Sequence, residues 1–387
     1  MMKCGCIGKK LTHSFSREIH ALLADYSYTL MELKEDEIPA FFCRREFDAI
    51  NVTIPYKQTV IPYLDWISDA ARRIGAVNTI VNRDGKLWGY NTDYYGMKAL
   101  LDKAGIEVRG RKVLILGTGG TSKTARVLAA DLGAAEVLLV SRSKAEGVIT
   151  YAEAVTQHAD ARVIINTTPC GMYPDCETVP IDVAAFADLE GVIDAVYNPL
   201  NTNLILEAKA RGVRAEGGLY MLVMQAVAAA EKFLGREIDR ADADRVFAKI
   251  YAAKENIVLI GAREGGMRAA GRALQRIGFE LMDVDDEIER KCGCSIGEMM
   301  QRNGEEGFRD LEAEVIRAAA SGGGRIIVLG GDALRRAENV QRLKRNGRLF
   351  AACAAPCREA ADVLLPDLKT AEETADYILQ KRMELIL

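Results

Sequence analysis

Several features of exported, metal-binding or membrane-bound proteins are missing from this sequence of 387 residues. There is no C-x-x-C pair, there are only three histidines (His13, His20 and His158), and the nine cysteines are an odd number scattered along the chain. We therefore expect reduced thiols in the cytoplasm, no disulfide framework and no metal site. No apolar run approaches the length of a membrane span, and the N-terminus "MMKCGCIGKKLTHSFS" lacks the apolar core of a signal peptide.

The sequence also has no excess of positive charge. It contains 51 Lys and Arg residues and 55 Asp and Glu residues, which gives a net charge of −4. This balance argues against nucleic acid or an anionic membrane as the main partner. Small anionic ligands stay possible, because local positive sites decide their binding. The hydrophobic share of 49% is ordinary for a globular protein, and the length predicts two or three domains. The composition leaves open whether the chain is a monomer or a homodimer.

Strands and helices alternate along the whole chain, which predicts an α/β fold. Up to about residue 97, the stretches "KCGCIG", "YTLMEL" and "AINVTIP" predict buried strands, and residues 16–26, 38–47 and 58–75 predict helices. A hairpin over 77–92 is predicted to turn at Arg83-Asp84-Gly85, because Asp-Gly is a strong turn signal.

The alternation continues in two further blocks. Between about 110 and 218, five strands separated by helical patterns predict a doubly wound parallel sheet. Two more helices follow, and Lys254-Glu255 is predicted to be a short linker. A third α/β block is expected from residue 256 to residue 387.

The glycine-rich turn in "KVLILGTGGTSKTARV" follows a predicted strand and precedes a predicted helix. Gly117 and Gly119 stand where a dinucleotide fingerprint needs a tight turn and a close backbone approach to pyrophosphate. The third fingerprint glycine is replaced by Ser122, while Gly120 adjoins Gly119. An ordinary strand-to-helix turn is the alternative, and the surrounding strand–helix–strand pattern favours a cofactor site.

A basic turn follows the second strand of this block. NAD enzymes usually place an acidic residue there for the ribose 2′-hydroxyl, whereas this chain has Ser141-Arg142-Ser143-Lys144. Positive charge and hydroxyl donors suit a 2′-phosphate, so we predict NADP as the cofactor. The alternative is a solvated basic turn.

Five polar stretches remain: "THSFS", "NVTIPYK", "AVNT", "NTDYYG" and "GLYMLVMQ". Each alone fits a helix cap or a turn, but in this order and spacing they resemble the shikimate dehydrogenase family over about residues 1–250. The resemblance implies a substrate-binding domain (1–97 and 219–253) and a Rossmann-like NADP-binding domain (98–218). It also implies reduction of 3-dehydroshikimate to shikimate.

The resemblance further implies a role for individual residues. Lys57 is expected to be the general acid/base, paired with Asp93; reduction of a ketone needs a proton donor within hydrogen-bond reach of the oxygen. The expected substrate-binding residues are Ser14, Ser16, Thr53, Asn78, Tyr197 and Gln225. The expected cofactor-binding residues are Gly117, Thr118, Gly119, Gly120, Thr121, Ser141, Arg142, Ser143, Lys144, Ala195 and Gly218.

The sequence departs from the family pattern at a few positions. Lys10 replaces a usual proline, and Tyr94 replaces the glycine after Asp93, where its bulk could reshape the pocket. A quinate/shikimate dehydrogenase of broader specificity and a non-catalytic metabolite sensor are the alternative functions. The Lys57–Asp93 pair favours an enzyme, because a sensor has no need of it; the alternative for the pair is a surface ion pair.

From Asn256 onward the chain resembles shikimate kinase, but its phosphate-binding loop is altered. The pattern G-x-x-x-x-G-K-[ST] keeps Gly261 and Gly266, while Met267 replaces the lysine and Arg268 replaces the hydroxyl that binds magnesium. We predict a degenerate Walker A loop in which the Arg268 guanidinium occupies the anion site at the helix N-terminus.

Part of the acceptor site of the kinase family is retained. The positions that match its motifs are Asp283, Asp285, Arg309, Gly330 and Gly331, with Asp332 on a third glycine. The arginine-bearing lid looks deleted between "APCREA" and "ADVLLPD". We therefore expect residues 255–387 to be an inactive pseudokinase domain, retained for packing or assembly rather than for weak shikimate binding.

Overall fold

The structure is a computed structural model that describes residues 1–11, 15–261, 266–351 and 355–386. Its packing forms two compact units, which are not consecutive along the chain. The first unit consists of Met1–Met172, Glu177–Asn198 and Glu207–Phe247. The second consists of Tyr173–Cys176, Pro199–Leu206 and the chain from Ala248 onward.

The first sheet of the first unit has six strands in the order β2-β1-β3-β5-β6-β4. The strands are β1 (Lys3–Gly8), β2 (Ser27–Glu32), β3 (Ala49–Val52), β4 (Trp66–Ile67), β5 (Thr79–Arg83) and β6 (Lys86–Tyr90), and the helices are α1 (Ser16–Leu23), α2 (Ile38–Arg44), α3 (Asp69–Ile74) and α4 (Asp93–Ala104). The predicted hairpin is confirmed: β5 and β6 pair antiparallel, and Asp84 and Gly85 turn the chain with φ of 52° and 79°.

The predicted helix over residues 58–75 is wrong. Instead, a short 3₁₀ helix (Ile61–Tyr63) is followed by β4, which pairs with β6, and α3 begins only at Asp69. Pro62 lacks the backbone N–H that a continuing helix needs, and the Ser68 side chain caps a new helix by accepting from Ala71 N at 3.3 Å. The apolar spacing of this stretch therefore serves three short elements.

The second sheet of the first unit confirms the doubly wound prediction. All its strands are parallel, in the order β12-β11-β10-β7-β8-β9. The strands are β7 (Lys112–Leu116), β8 (Glu136–Ser141), β9 (Val148–Thr150), β10 (Val163–Asn166), β11 (Gly191–Asp194) and β12 (Arg214–Glu216), and the helices up to the next sheet are α5 (Gly120–Asp131), α6 (Tyr151–Gln157), α7 (Asn203–Ala210), α8 (Leu219–Leu234) and α9 (Arg240–Lys254). The strand order reverses between β7 and β10, where such sheets form a ligand-binding crevice.

The second unit contains a five-stranded parallel sheet in the order β14-β15-β13-β16-β17. Its strands are β13 (Asn256–Ile260), β14 (Glu280–Asp283), β15 (Arg325–Leu329), β16 (Gly347–Ala351) and β17 (Val363–Leu364), and its helices are α10 (Met267–Leu274), α11 (Val284–Cys292), α12 (Ile296–Ala320), α13 (Ala337–Asn346), α14 (Ala355–Ala360) and α15 (Ala371–Ile386). Apolar clusters cover both faces of the sheet, as parallel sheets require. Within the described ranges, no helix is both long and apolar enough to cross a membrane.

A segment from the middle of the chain completes the second unit. The backbone N–H of Leu200 donates to Asn346 Oδ1 at 2.9 Å, and that of Asn201 donates to the Arg345 carbonyl at 2.8 Å. The Arg345 guanidinium, which is buried, donates to Asn203 Oδ1 at 2.9 Å. Residues 199–206 are thus held by hydrogen bonds of both backbone and side chains.

The predicted linker at Lys254-Glu255 is also wrong. Helix α9 runs to Lys254 and β13 begins at Asn256, so no extended connection separates them. Glu255 is buried, and its carboxylate contacts Arg348 Nη2 and Arg382 Nε, each at 2.8 Å. A buried carboxylate needs such partners, and the two arginines tie the start of β13 to β16 and α15.

Candidate active site

A cleft of about 550 Å³ opens in the first unit and joins both of its sheets. It is lined by residues that the sequence assigned to the substrate, namely Ser16, Thr53, Lys57, Asn78, Asp93, Tyr197 and Gln225, and by three that it assigned to the cofactor, namely Thr121, Ala195 and Gly218. Ser14 lies outside the described residues. The volume is in the range of pockets that enclose small molecules.

Lys57 and Asp93 form an ion pair inside this cleft. Lys57 follows β3 and its carbonyl accepts from Val77 N at 2.8 Å, while Asp93 is the first residue of α4. The Lys57 Nζ lies 2.6 Å from Asp93 Oδ2, and the two side chains are 22% and 14% exposed. The pair is therefore partly desolvated, unlike the exposed surface pair that was its alternative.

A glycine in α4 brings the opposite wall of the cleft close to this pair. A Cβ at Gly96 would lie 2.5 Å from the Met221 carbonyl oxygen and 2.9 Å from Gln225 Cβ on α8. Real Cβ atoms do not approach other atoms that closely, so only glycine lets α8 pack here. The close packing places Gln225 on the same cleft as Asp93.

Hydrogen bonds fix the Asn78 amide in one orientation. Its Oδ1 accepts from Thr92 N at 2.7 Å and from the hydroxyls of Thr79 and Thr92, each at 3.1 Å. The oxygen is thus fully used by the protein. Asn78 can therefore offer only N–H donors to a molecule in the cleft.

The orientation of this amide depends on two residues that sequence reasoning missed. Tyr28 donates its hydroxyl to Asn51 Oδ1 at 2.7 Å, and Asn51 Nδ2 in turn donates to Thr79 Oγ1 at 3.1 Å and to the Asn78 carbonyl at 3.3 Å. Burial raises the pKa of Tyr28 well above its ordinary value, so its hydroxyl stays a donor. Asn51 opens the "NVT" stretch, and that position was the available signal.

Other cleft residues were also not predicted: Cys6, Lys10, Leu11, Val52, Met221 and Leu222. Among them, Lys10 was noted only as a departure from the family pattern. Tyr197 was predicted, and its ring packs edge-on against Phe15 with centroids 5.3 Å apart. Burial raises the pKa of Tyr197, so its hydroxyl keeps its proton at neutral pH.

The glycine-rich turn lies at the reversal point of the second sheet, between β7 and α5. Gly117 has a φ of 104°, and a Cβ there would lie 3.0 Å from the side chains of Thr167 and Thr168. An added Cβ at Gly119 or Gly120 would meet nothing within 4 Å, so the backbone there is open to a ligand. This geometry fits a pyrophosphate at the N-terminus of α5.

Ser122 and the basic turn complete the cofactor-side geometry. Ser122 Oγ donates to the Gly119 carbonyl at 2.6 Å and so fixes the turn where the fingerprint usually has glycine. Arg142 is exposed just after β8, whereas Lys144 is paired with Glu153. The hydrogen bond from Lys144 lowers the pKa of Glu153 to about 2. Arg142 is thus the more available cation of the turn.

Comparison with known proteins agrees with this geometry. The family model described as the shikimate dehydrogenase substrate binding domain matches residues 6–80. A shikimate dehydrogenase (NADP(+)) of Clostridium perfringens is 37% identical over 265 residues, which are 64% of this chain and 97% of the relative. The chain belongs to the shikimate dehydrogenase family.

Solved structures of this family cover a similar share of the chain. Shikimate dehydrogenase 1 from Peptoclostridium difficile has a TM-score of 0.58 at 34% identity and covers 65% of this chain and 98% of its own. The shikimate 5-dehydrogenase of Thermus thermophilus, solved in complex with NADP(H) and shikimate, has a TM-score of 0.58 at 29% identity, covering 64% and 99%. For the rest of the chain, the family model described as shikimate kinase matches residues 268–355.

Tyr94, a departure from the shikimate dehydrogenase pattern, does not line the cleft. Its hydroxyl donates to Asp131 Oδ2 at 2.9 Å, and Arg73 grips both oxygens of Asp131 at 2.6 and 2.5 Å. Burial raises the pKa of Tyr94 to about 12, so it remains a donor. The Tyr94 side chain connects α3, α4 and α5 through these hydrogen bonds, and it does not reshape the pocket next to Asp93.

The residues at the shikimate kinase motif positions contact other protein groups of the second unit. Met267, in place of the lysine, is buried in the apolar cluster that includes Ile257 and Leu259, and its Cγ would lie 2.6 Å from a Cβ at Gly261. Residues 262–265 of the loop lie outside the described ranges. The side chain at the lysine position thus packs inward and carries no charge.

The Arg268 side chain contacts acidic residues; the anion site predicted for its guanidinium depends on residues 262–265, which lie outside the described residues. Its Nε lies 2.6 Å from Asp283 Oδ2, and its Nη2 donates to Asp283 Oδ1 at 2.8 Å and to Asp286 Oδ1 at 3.0 Å. Arg309, the expected acceptor-binding arginine, is paired with buried Glu312 at 3.0 Å. Asp332, which replaces a glycine, lies 3.6 Å from the same guanidinium.

Proposed function

We propose that the first unit catalyses the NADP-dependent reduction of 3-dehydroshikimate to shikimate. In this proposal, residues 1–97 and 219–253 form the substrate-binding domain and residues 98–218 form the cofactor-binding domain; within these ranges, residues 173–176, 199–206 and 248–253 pack with the second unit. The observation that carries the proposal is the Lys57–Asp93 pair, 2.6 Å apart, in one cleft with Thr121, Ala195 and Gly218. Family membership and the ligands of the Thermus thermophilus structure support it.

NADPH, when bound, supplies the hydride. Hydride addition to the ketone carbon leaves negative charge on the oxygen, and Lys57 donates a proton to that oxygen. In the reverse reaction, Lys57 accepts the proton from the hydroxyl. Asp93 holds the ammonium group in position through the 2.6 Å contact, which limits the motion of a long side chain.

The remaining polar side chains of the cleft recognise a ring that carries several hydroxyls. Asn78 offers N–H donors, because its oxygen is occupied by Thr79 and Thr92. Gln225 uses its Nε2 to donate to the Leu222 carbonyl at 2.9 Å, so its oxygen is left as an acceptor. A site with fixed donors and acceptors rejects molecules that lack the matching hydroxyls, because its buried groups would stay unpaired. We assign Thr53 and Tyr197 to the same ring, and Ser14 with Ser16 to its carboxylate.

The cofactor would be held by the glycine-rich turn and the basic turn. An added Cβ at Gly119 or Gly120 would meet no atom within 4 Å, so the turn has room for pyrophosphate, and we assign Thr118 and Thr121 to the same turn. The exposed Arg142 suits the 2′-phosphate; Ser141, Ser143 and Lys144 complete that set.

Initial rates of shikimate oxidation by the full chain test this function, with quinate and NAD as alternative substrates. We expect NADP-dependent turnover that falls by about two or more orders of magnitude in Lys57→Ala, with a similar or slightly smaller loss in Asp93→Asn. Lys98→Ala is the control, because Lys98 forms an exposed pair with Asp102 on the same helix α4. Near-normal turnover by Lys57→Ala would refute the assigned roles. Absence of activity in the wild type would refute the enzyme itself.

We also propose that the second unit, with its kinase-like residues, does not transfer phosphate. Phosphoryl transfer depends on positioned positive charge and a metal ion. Met267 is buried and uncharged, and Arg268 has no hydroxyl to bind magnesium. Asp332 and Glu312 already neutralise Arg309, which argues against shikimate binding there. A coupled assay on the full chain should show no shikimate-dependent ADP release, and measurable ATP turnover would contradict this.

A further inference from the structure

A kinase site of the P-loop class requires a divalent cation. In P-loop enzymes, the Ser or Thr after the lysine binds Mg²⁺ through its hydroxyl, and an acidic residue of the same domain helps to hold the ion. In this chain the hydroxyl position carries Arg268, and Asp283 is the first aspartate of the retained D-x-D pair. The contacts of these two residues decide whether a divalent metal fits.

Asp283 has little left to offer a metal ion. Its Oδ2 contacts Arg268 Nε at 2.6 Å, and its Oδ1 accepts from Arg268 Nη2 and from the backbone N–H groups of Asp285 and Asp286 at 2.8, 3.0 and 3.3 Å. A carboxylate has about four lone-pair positions; three donors share Oδ1 and the guanidinium lies on Oδ2, so at most one position is open, and it lies beside a cation. In the described part of the chain, no group of three or more His, Cys, Asp or Glu is arranged to hold a metal. A divalent ion does not fit this site.

The Arg268 guanidinium instead supplies the positive charge that a metal ion would supply to these carboxylates. It is a permanent cation with a planar fork that matches one carboxylate on two atoms, and it reaches a second carboxylate, Asp286, at 3.0 Å. Asp283 is 10% exposed and Arg268 is 31% exposed, so the pair is shielded better than a surface pair. Asp283 also caps α11 by accepting from its first backbone N–H groups.

We propose that Arg268 is the resident cation of this site: its guanidinium replaces a divalent metal and ties the first turn of α10 to the start of α11. This rests on the proposal that the second unit has lost phosphoryl transfer, and it explains how the carboxylates of Asp283 and Asp286 are paired without a ligand. The acidic end of β14 is thereby stabilised from within the chain. The unit needs no metal to hold α10 and α11 together.

Hydrogen–deuterium exchange of the full chain, read by mass spectrometry on peptides from 267–274 and 280–292, tests the proposal. In the wild type, millimolar MgCl2 or MnCl2 should leave exchange in both segments unchanged. Arg268→Ser should speed exchange in both by on the order of tenfold, because both ends of the contact are released. Arg268→Lys keeps the positive charge but loses the planar fork. Its exchange rate in both segments should lie between those of the wild type and Arg268→Ser.

Arg276→Ser is the matched control, because Arg276 pairs with Asp376 on an exposed surface of the same unit. It should leave exchange in 280–292 unchanged. Metal-dependent protection in the wild type would overturn the proposal, as would an Arg268→Ser variant that behaves like the control in 280–292. ATP turnover by the wild type would instead refute the loss of kinase activity, so the two failures are distinguishable.

Discussion

The buried imidazole of His20 predicts an acid sensitivity of the first unit that can be calculated. His20 is 1% exposed and lies between Tyr28 and Phe233, with ring centroids at 4.1 and 5.7 Å, and its Nδ1 is 2.6 Å from the Tyr26 hydroxyl. Burial lowers the pKa of His20 to about 3, against a smaller opposing effect of the Asn51 side chain. An unfolded histidine has a pKa of about 6.5.

Between these two pKa values, the unfolded state binds one proton that the folded state does not. Stability therefore falls as the pH falls, by about 1.4 kcal/mol for each pH unit well below the unfolded pKa. From about pH 8 to about pH 4.5, the contribution of His20 alone should amount to about 2.7 kcal/mol. Carboxylates add their own pH dependence, so the prediction concerns a difference between variants.

Urea unfolding followed by tryptophan fluorescence isolates this effect. The chain has two tryptophans, Trp66 and Trp88, and both lie in the first sheet, so the signal reports the unit that contains His20. His20→Phe keeps an aromatic ring in the stack but cannot bind a proton. As the pH falls from about 8 to about 4.5, the free energy of unfolding of this variant should decrease by about 2.7 kcal/mol less than that of the wild type.

Tyr26→Phe is the control for the lost hydrogen bond. It should shift the stability at every pH by a similar amount and keep the slope of the wild type, because the imidazole is still present. If His20→Phe and the wild type show the same slope between about pH 6 and about pH 4.5, the folded His20 is protonated and the burial argument fails.

Two further predictions concern the cofactor and the joint at Tyr94. In initial-rate assays, Arg142→Ala should raise KM for NADP by about tenfold or more and leave any activity with NAD nearly unchanged. The reason is that the guanidinium is expected to contact only the extra phosphate. Equal losses with both cofactors would show that Arg142 is structural. Tyr94→Phe should lower the free energy of unfolding in urea by about 1 kcal/mol, because the Tyr94 hydroxyl donates to Asp131 at 2.9 Å. It should leave the ratio of the rates with shikimate and quinate unchanged. A changed ratio would show that Tyr94 acts on the pocket.

The sequence predicted those features that depend on local pattern. Alternating apolar strands and helices identified the parallel sheet, and Asp-Gly identified the hairpin over Asp84 and Gly85. The family resemblance pointed to Lys57 and Asp93, and the structure places their side chains 2.6 Å apart. The expected helix over 58–75 is wrong because Pro62, which has no backbone N–H to donate, interrupts the apolar period.

Features that depend on distant partners could not be read from the sequence. Asn51 orients Asn78 only because Tyr28, 23 residues earlier, donates to it across the paired strands β1–β3 and β1–β2. Glu255 was predicted to belong to a short linker, but it is buried against arginines about a hundred residues later in the chain. Arg268 turns to acidic groups because Asp283 ends a strand beside it, which no local rule indicates.

The interleaved course of the chain limits how this protein can be divided. Residues 199–206 lie in sequence between Tyr197 and β12 of the dehydrogenase, yet their hydrogen-bond partners are Arg345 and Asn346. A stop codon or a proteolytic cut near residue 248 would leave this inner segment without those partners. The kinase-like portion thus holds a segment that lies within the dehydrogenase part of the sequence. Genetic deletion cannot treat it as a dispensable appendage.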